Sequence, residues 1–201
     1  PFFLAIAWWT SRGEGVAPLA PADWRAVVFL GIVGYYLASL FDFLGLQYIT
    51  AALERLVLFL YPTFVVLISA AMYGRRITGR DVAALAVSYA GIALVFANDL
   101  ATQQENVLLG AFWVSLSALA YAIYLIGNGR MVRKMGSVRF ASLASVVSCA
   151  AVLGHFFVVR EPPLLWSQPA PVYWLTLLMA IVSTVLPVIL MSVGIRLVGS
   201  S

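Results

Sequence analysis

The stretch FDFLGLQYITAALERLVLFLYPTF, residues 41–64, is almost wholly apolar and yet contains an acid, a charge pair and a proline. Runs of about 18 or more apolar residues span a bilayer, and such runs extend to both sides of Glu54 and Arg55. Over all 201 residues, 63% are hydrophobic and 10% are charged, whereas a soluble domain has roughly half and a quarter. The composition indicates a membrane protein.

The apolar runs are continuous rather than alternating, which favours membrane-spanning helices over the strands of a barrel. The sequence therefore predicts an all-α, polytopic transmembrane helical bundle. A partial helix is expected at residues 1–10, and whole spans are expected at residues 24–49, 51–73, 82–97, 107–127, 140–159 and 172–195.

The charges between these runs predict the orientation of the bundle. Segments 73–81 (YGRRITGRD) and 127–139 (GNGRMVRKMGSVR) are basic, whereas the intervening loop 97–106 (ANDLATQQEN) has acids and no base. Basic loops stay in the cytoplasm. The net charge of +4 is thus explained by topology, and no nucleic-acid partner is expected.

A weak internal repeat is visible when residues 24–52 are aligned with residues 173–201, which matches Gly45 with Gly194. The two copies enter the membrane in opposite directions, and inverted repeats of this kind are typical of secondary transporters. A chance match between two hydrophobic helices is the alternative. The predicted repeats cover residues 1–99 and 106–201.

The helix that carries Asp42 has one stripe of small and polar residues at steps of three and four positions. Its members are Gly31, Gly34, Tyr35, Ala38, Ser39, Asp42 and Gly45. Small residues favour close helix packing, so Asp42 is expected to face the interior. An acid there either binds a cationic group or carries a coupling proton, or it simply fastens two helices together.

Other polar residues give further candidates for a solute path. Glu54 is expected near the outer mouth, either at a helix end beside a snorkelling Arg55 or in a vestibule with Tyr61. Tyr121 and Tyr124, with Ser115 and Ser117, either offer hydroxyl groups to a cavity or simply hold helices together. Pro62 and Pro187 are expected to kink their helices. The single histidine, His155, is interpreted as a hydrogen-bonded packing residue rather than a proton relay.

Several kinds of site lack their residues in this sequence. The only lysine, Lys134, is not preceded by a P-loop, there is no HExxH or G-x-S-x-G motif, and Cys149 is the single cysteine. These patterns hold phosphate, zinc or a serine nucleophile. We therefore expect no enzyme, no metal and no cofactor.

Residues 49–97 (ITAALERLVLFLYPTFVVLISAAMYGRRITGRDVAALAVSYAGIALVFA) resemble the EamA domain of the drug/metabolite transporter superfamily. Residues 116–140 (LSALAYAIYLIGNGRMVRKMGSVRF) are similar to the start of the family's second repeat. The resemblance implies ten helices in two inverted repeats, of which this chain would begin within helix two and stop where helix nine begins. It departs from the family in having Arg75 after Gly74, where a glutamate is common.

We therefore predict a secondary transporter that exports a small metabolite or an amino-acid-like solute by alternating access. Its partners would be the solute and the lipid bilayer of the bacterial inner membrane, and the sequence leaves a homodimer open. Helices three, four, six and eight would line the path, and the predicted path residues are Tyr35, Ser39, Asp42, Glu54, Tyr61 and Tyr121. A non-transporting membrane scaffold or sensor is the alternative, and an intramembrane enzyme would need residues from outside this chain.

Overall fold

The computed structural model describes residues 2–12, 18–74, 78–101, 106–187 and 190. Regular structure within these residues is helical, which confirms the predicted all-α fold. The α-helices are α1 (Phe2–Ser11), α2 (Pro21–Gly31), α3 (Ala38–Gly45), α4 (Ala51–Leu58), α5 (Tyr61–Tyr73), α6 (Gly79–Ala101), α7 (Val107–Met135), α8 (Ser137–Val159) and α9 (Ala170–Met179). Two π-helical segments, Ile32–Leu37 and Ala180–Val185, and a 3-10 turn, Pro162–Leu165, complete the described structure.

Several of these helices are long and apolar enough to cross a bilayer. Within the described residues they are the continuous helix Pro21–Gly45, the pair α4 and α5 over Ala51–Tyr73, and the helices α7 and α8. Large apolar side chains lie on the outside, where Phe43, Val87 and Val158 are 68%, 74% and 86% exposed. Such a surface fits contact with lipid rather than water, as expected for a multi-pass membrane protein.

Some helices begin or end at other residues than the hydropathy pattern predicts, because local polar contacts determine these ends. The first span begins at Pro21 rather than residue 24, because Pro21 suits a first helical turn and the Asp23 carboxylate accepts a hydrogen bond of 3.0 Å from the Ala20 N–H. It ends at Gly45 rather than residue 49, before a short turn that leads to the N-cap of α4 at Thr50.

The sixth helix of the predicted numbering, α7, is also longer than its apolar run. It continues past residue 127 through the basic residues to Met135 and ends before Gly136, whose φ of 85° favours glycine. Arginine and lysine in the last turn interact favourably with the carboxyl end of a helix. The hydrophobic pattern alone therefore predicts too early an end for this helix.

Glycines allow the first span to approach α7 very closely. A Cβ atom added to Gly34 would lie 2.3 Å from Cγ of Tyr124, and one added to Gly45 would lie 2.4 Å from Cγ2 of Val114. Both distances are far below van der Waals contact, so these two positions exclude larger residues. The stripe of small residues seen in the sequence thus faces the interior of the bundle.

Pro62 coincides with an interruption between two helices. α4 ends at Leu58, the residues Phe59 and Leu60 form a turn, and α5 begins at Tyr61 with Pro62 in its first turn. Proline cannot donate a backbone hydrogen bond to the preceding turn, which explains the break. Pro187 follows the π-helical segment Ala180–Val185, near the last described residues.

Buried apolar side chains form two separate clusters along the bundle. The inner cluster, toward the predicted cytoplasmic end, consists of Val27, Leu30, Tyr124, Met131, Phe140 and Ala144. The outer cluster consists of Ile49, Leu53, Val57, Val107 and Val114. The helix α7 contributes to both, whereas the first span contributes to the inner cluster and is followed by Ile49 of the outer one, so the residues between the clusters on these helices lie at an intermediate depth.

An ion pair closes the bundle beneath the inner cluster. Nζ of Lys134, at the end of α7, lies 2.5 Å from Oδ1 of Asp23, at the start of α2. The Asp23 side chain is 8% exposed and that of Lys134 is 58% exposed. One buried carboxylate therefore both caps its own helix and binds a neighbouring one.

Some predictions fall outside the described residues. The basic residues Arg75 and Arg76 and the loop residues 102–105 are among them, as is Gly194, on which the repeat alignment depends. The inverted repeats with bounds 1–99 and 106–201 stay a prediction.

Candidate functional site

A cavity lies at the intermediate depth between the inner and outer clusters. Its volume is about 350 Å³, within the range of small-molecule sites. The first span, the α4–α5 pair and α7 supply its lining residues, which are Gly34, Tyr35, Ala38, Ser39, Asp42, Leu58, Tyr61, Ser117 and Tyr121. A carboxylate and several hydroxyl groups therefore converge on one space within an apolar bundle.

The tyrosines form a connected layer at the inner side of this cavity. The hydroxyl groups of Tyr35 and Tyr124 are 2.9 Å apart and form a hydrogen bond. The ring of Tyr121 stacks on that of Tyr124 with centroids 6.0 Å apart, and it meets the ring of Tyr61 edge to face at 5.3 Å. Tyr124 belongs to the inner cluster, so the aromatic layer joins the cavity to the packed inner half.

Asp42 is the only acidic residue among the described residues that line this cavity. Its carboxyl group lies within hydrogen-bonding reach of the carboxyl group of Glu54. Its Oδ1 atom is buried, and no hydrogen-bond donor among the described residues reaches it. A buried oxygen without a donor is costly, so this atom requires a chemical explanation.

Glu54 connects Asp42 to the surface of the bundle. Glu54 is only 4% exposed, and its Oε2 atom lies 3.3 Å from Nε of Arg55, whose side chain is 79% exposed. The three side chains form a row, with Asp42 beside the cavity, Glu54 behind it and Arg55 outside. We call this row the carboxyl–arginine row.

The structure brings five predicted path residues together on the cavity, namely Tyr35, Ser39, Asp42, Tyr61 and Tyr121. The sixth, Glu54, is not among the lining residues but lies buried next to Asp42. Helix eight of the predicted numbering, α9, contributes none of the lining residues found in the described part of the chain. The roles of all six residues stay predictions.

Sequence reasoning missed the contact between the two acids. Asp42 lies one turn before the end of α3, and Glu54 lies in the first turn of α4. A tight hairpin places such positions at the same depth, so the short connection at residues 46–50 was the available signal. Leu58 gave no comparable signal, because its place on the cavity depends on the break before Pro62.

His155 lies outside the cavity and has a partner of its own. Its Nδ1 atom is 2.8 Å from the hydroxyl oxygen of Tyr36, which points away from the cavity toward α8. This contact agrees with a hydrogen-bonded packing residue. Within the described residues, no group of three or more histidine, cysteine, aspartate or glutamate side chains could hold a metal ion.

A second cavity, of about 280 Å³, lies among α2, α5 and α7 toward the cytoplasmic end. Its lining is almost wholly apolar, with Phe29, Leu30, Ile68 and Met72 among its members and Arg130 at its edge. A solute site needs a few convergent polar groups to fix its ligand. The cavity beside Asp42 has these groups, and the second one does not.

The sequence profile of the EamA-like transporter family matches residues 1–97 and 108–201. The chain belongs to this family. The expected resemblance is confirmed, and the family is one of transporters.

Relatives of this EamA-like chain carry the same general description. It is 28% identical over 173 residues to "Uncharacterized transporter YcbK" of Bacillus subtilis, a match that covers 85% of this chain and 55% of the relative. It is also 28% identical over 125 residues to an "Uncharacterized transporter" of Archaeoglobus fulgidus, with 62% and 44% covered. The chain thus spans about half the length of these relatives. No solved structure matches it significantly.

Proposed function

We propose that this chain belongs to a secondary transporter that exports a small metabolite or an amino-acid-like solute by alternating access. The observation that carries the proposal is the cavity between the two packed clusters, where a carboxylate and tyrosine hydroxyl groups meet inside an apolar bundle. Polar groups in a membrane interior are costly and mark solute pathways. Membership in a transporter family supports the same conclusion.

The packing around the cavity fits a site that opens to one side at a time. The inner cluster closes the cytoplasmic side, and the outer cluster packs on the other side. The break before Pro62 and the π-helical segment Ile32–Leu37 interrupt two helices that line the cavity. Interrupted helices at a binding site are common in secondary transporters.

The setting we propose is the inner membrane of a bacterium, with the solute and lipid as partners and with no nucleic acid, metal or cofactor. A relative from Bacillus subtilis supports a bacterial setting. Transport by a homodimer and by a monomer are both compatible with this site, since the cavity is lined by one chain.

Counterflow in proteoliposomes tests the proposal. The full-length protein is reconstituted, preloaded in turn with each amino acid and with simple amines, and the uptake of the labelled compound is measured. We expect uptake for at least one compound, and we expect Asp42→Asn to reduce it by roughly tenfold or more. Glu161→Gln makes the same chemical change on an exposed loop residue and should leave uptake unchanged.

The rival interpretation, a scaffold or sensor, predicts a different outcome. A scaffold gives no counterflow with any compound, and a wild-type protein that is correctly inserted yet inactive toward the whole set would refute the proposal. Equal counterflow by wild type and Asp42→Asn would remove Asp42 from the path.

A further inference from the structure

The carboxyl–arginine row contains two acids and one cation, and the neighbouring side chains that the structure describes do not balance the second acid. Two ionised carboxylates in hydrogen-bonding contact repel each other strongly, and among the described residues the only cation in contact with the pair is the Arg55 guanidinium. The other titratable groups that face the pair across the cavity are the phenols of Tyr35, Tyr61 and Tyr121. One positive charge can balance one of the two acids.

The buried oxygen of Asp42 points to the missing partner. Oδ1 of Asp42 has no donor among the described residues, although the side chain borders a cavity and a second acid. A single proton on the pair removes the repulsion between the carboxyl groups and also supplies a hydrogen-bond donor.

We infer that Asp42 and Glu54 share one exchangeable proton, and that a protonated amine in the cavity takes the place of this proton. The inference rests on the proposed function and deepens it, since it names the coupling ion and the class of solute. Glu54 acts as a positioning residue through Asp42, whereas Asp42 itself contacts the solute.

The exchange balances in charge at the site. Before binding, the row contains one protonated carboxyl group, one carboxylate and one guanidinium. When an ammonium group enters, the O–H bond of the protonated carboxyl group breaks, the proton leaves to water, and the ammonium group pairs with the new carboxylate of Asp42. One positive charge replaces another, so binding requires no further ion.

The cavity walls suit an ammonium group that is attached to an apolar body. The rings of Tyr35, Tyr61 and Tyr121 surround the space beside Asp42, and aromatic faces attract cations. Ala38 and Leu58 offer apolar contact to the rest of the solute. A neutral molecule of the same shape would gain the apolar contacts but could not replace the proton.

Infrared difference spectroscopy tests the shared proton directly. Spectra of the purified full-length protein at neutral and alkaline pH should show the C=O stretch of a protonated carboxyl group. This band should disappear in Asp42→Asn, shift in Glu54→Gln and persist in Glu161→Gln. A wild-type spectrum without the band, or a band that both variants leave untouched, would overturn the shared proton.

Proton release tests the exchange. Tyramine is added to the protein in weakly buffered detergent solution, and a pH-sensitive dye records the protons that appear. We expect close to one proton per bound tyramine for wild type, none for Asp42→Asn, and none when 4-ethylphenol replaces tyramine. Binding without release, or no binding of tyramine, would overturn the exchange.

These outcomes separate the inference from the proposed function. A protein that shows counterflow of a neutral or zwitterionic solute but no release of protons by tyramine is still a transporter, and only the exchange fails. Absence of all counterflow together with a clear carboxyl band would instead leave the pair intact and refute transport.

Discussion

The two ends of the first span carry one acid each, and the two acids have opposite surroundings. Asp23 accepts hydrogen bonds from the backbone N–H of Ala20 and from Lys134, so its charge is fully balanced. Asp42 lies on the same continuous helix, but it faces a second acid, and one of its oxygens has no donor in the described part of the chain. The first arrangement fastens two helices, whereas the second has an unmet need that a proton or a solute can fill.

The difference shows why the presence of an acid in a membrane helix does not by itself indicate a function. Buried ion pairs with complete hydrogen bonding are weak evidence for anything beyond structure. An acid with an incomplete set of partners beside a cavity is a better candidate. Substitutions at both acids test this contrast.

The largest effect on transport is expected at the two acids of the carboxyl–arginine row. Asp42→Asn and Glu54→Gln should each lower counterflow by roughly tenfold or more, and the double variant should be no worse than Asp42→Asn alone, because groups that act as a unit are not additive. Initial rates in proteoliposomes measure this. Losses that multiply in the double variant would mean that the two acids act independently.

The close approach of the first span to α7 gives the next effect. Gly34→Ala should destabilise the protein by about 1–3 kcal/mol, since its Cβ would overlap the ring of Tyr124. Melting of the purified protein in detergent measures the change. Gly154→Ala, at a position where nothing lies within 4 Å of the new atom, is the matched control and should melt as wild type does.

The inner acid should affect stability rather than transport. Asp23→Asn removes the ion pair to Lys134, so the melting temperature should fall by a few degrees while the initial rate of counterflow stays within about twofold of wild type. Arg133→Met removes a neighbouring exposed cation and serves as the control. A transport loss as large as that of Asp42→Asn would cancel the contrast between the two ends.

The smallest effect is expected at the hydrogen bond between Tyr36 and His155. Tyr36→Phe should cost about 0.5–1.5 kcal/mol, the usual net value of one such bond, and should leave the pH profile of counterflow in place. Chemical denaturation and transport at several pH values provide the two measurements. A changed pH profile would instead indicate that His155 acts as a proton relay.

The sequence was sufficient for the features that depend on periodicity. The stripe from Gly31 to Gly45 correctly indicated a face for close packing, and the same periodicity predicted that Tyr35 and Asp42 share an interior side. Hydropathy predicted the helical bundle, although the ends at Pro21 and Met135 depended on capping and charge rather than on apolar content.

Contacts between segments that are distant in the sequence could not be predicted from periodicity or hydropathy. The bond between Tyr35 and Tyr124 joins residues that are 89 positions apart, and no local pattern specifies which helices are neighbours. Glu54 was assigned to the outer mouth because its position in the sequence is near a helix end. Its helix, α4, packs against α6 and α7, and its side chain lies beside Asp42 of the first span, contacts that only the folded bundle shows.

The π-helical segment Ile32–Leu37 separates the two acids of the first span. Such a segment contains one more residue than an ordinary turn, and each residue of an α-helix advances the side-chain direction by about 100°. Tightening this segment would therefore swing Asp42 around the helix axis while Asp23 stayed anchored. A shift of the backbone hydrogen bonds by one residue in this segment would thus become a rotation of the Asp42 carboxyl group about the axis of the first span.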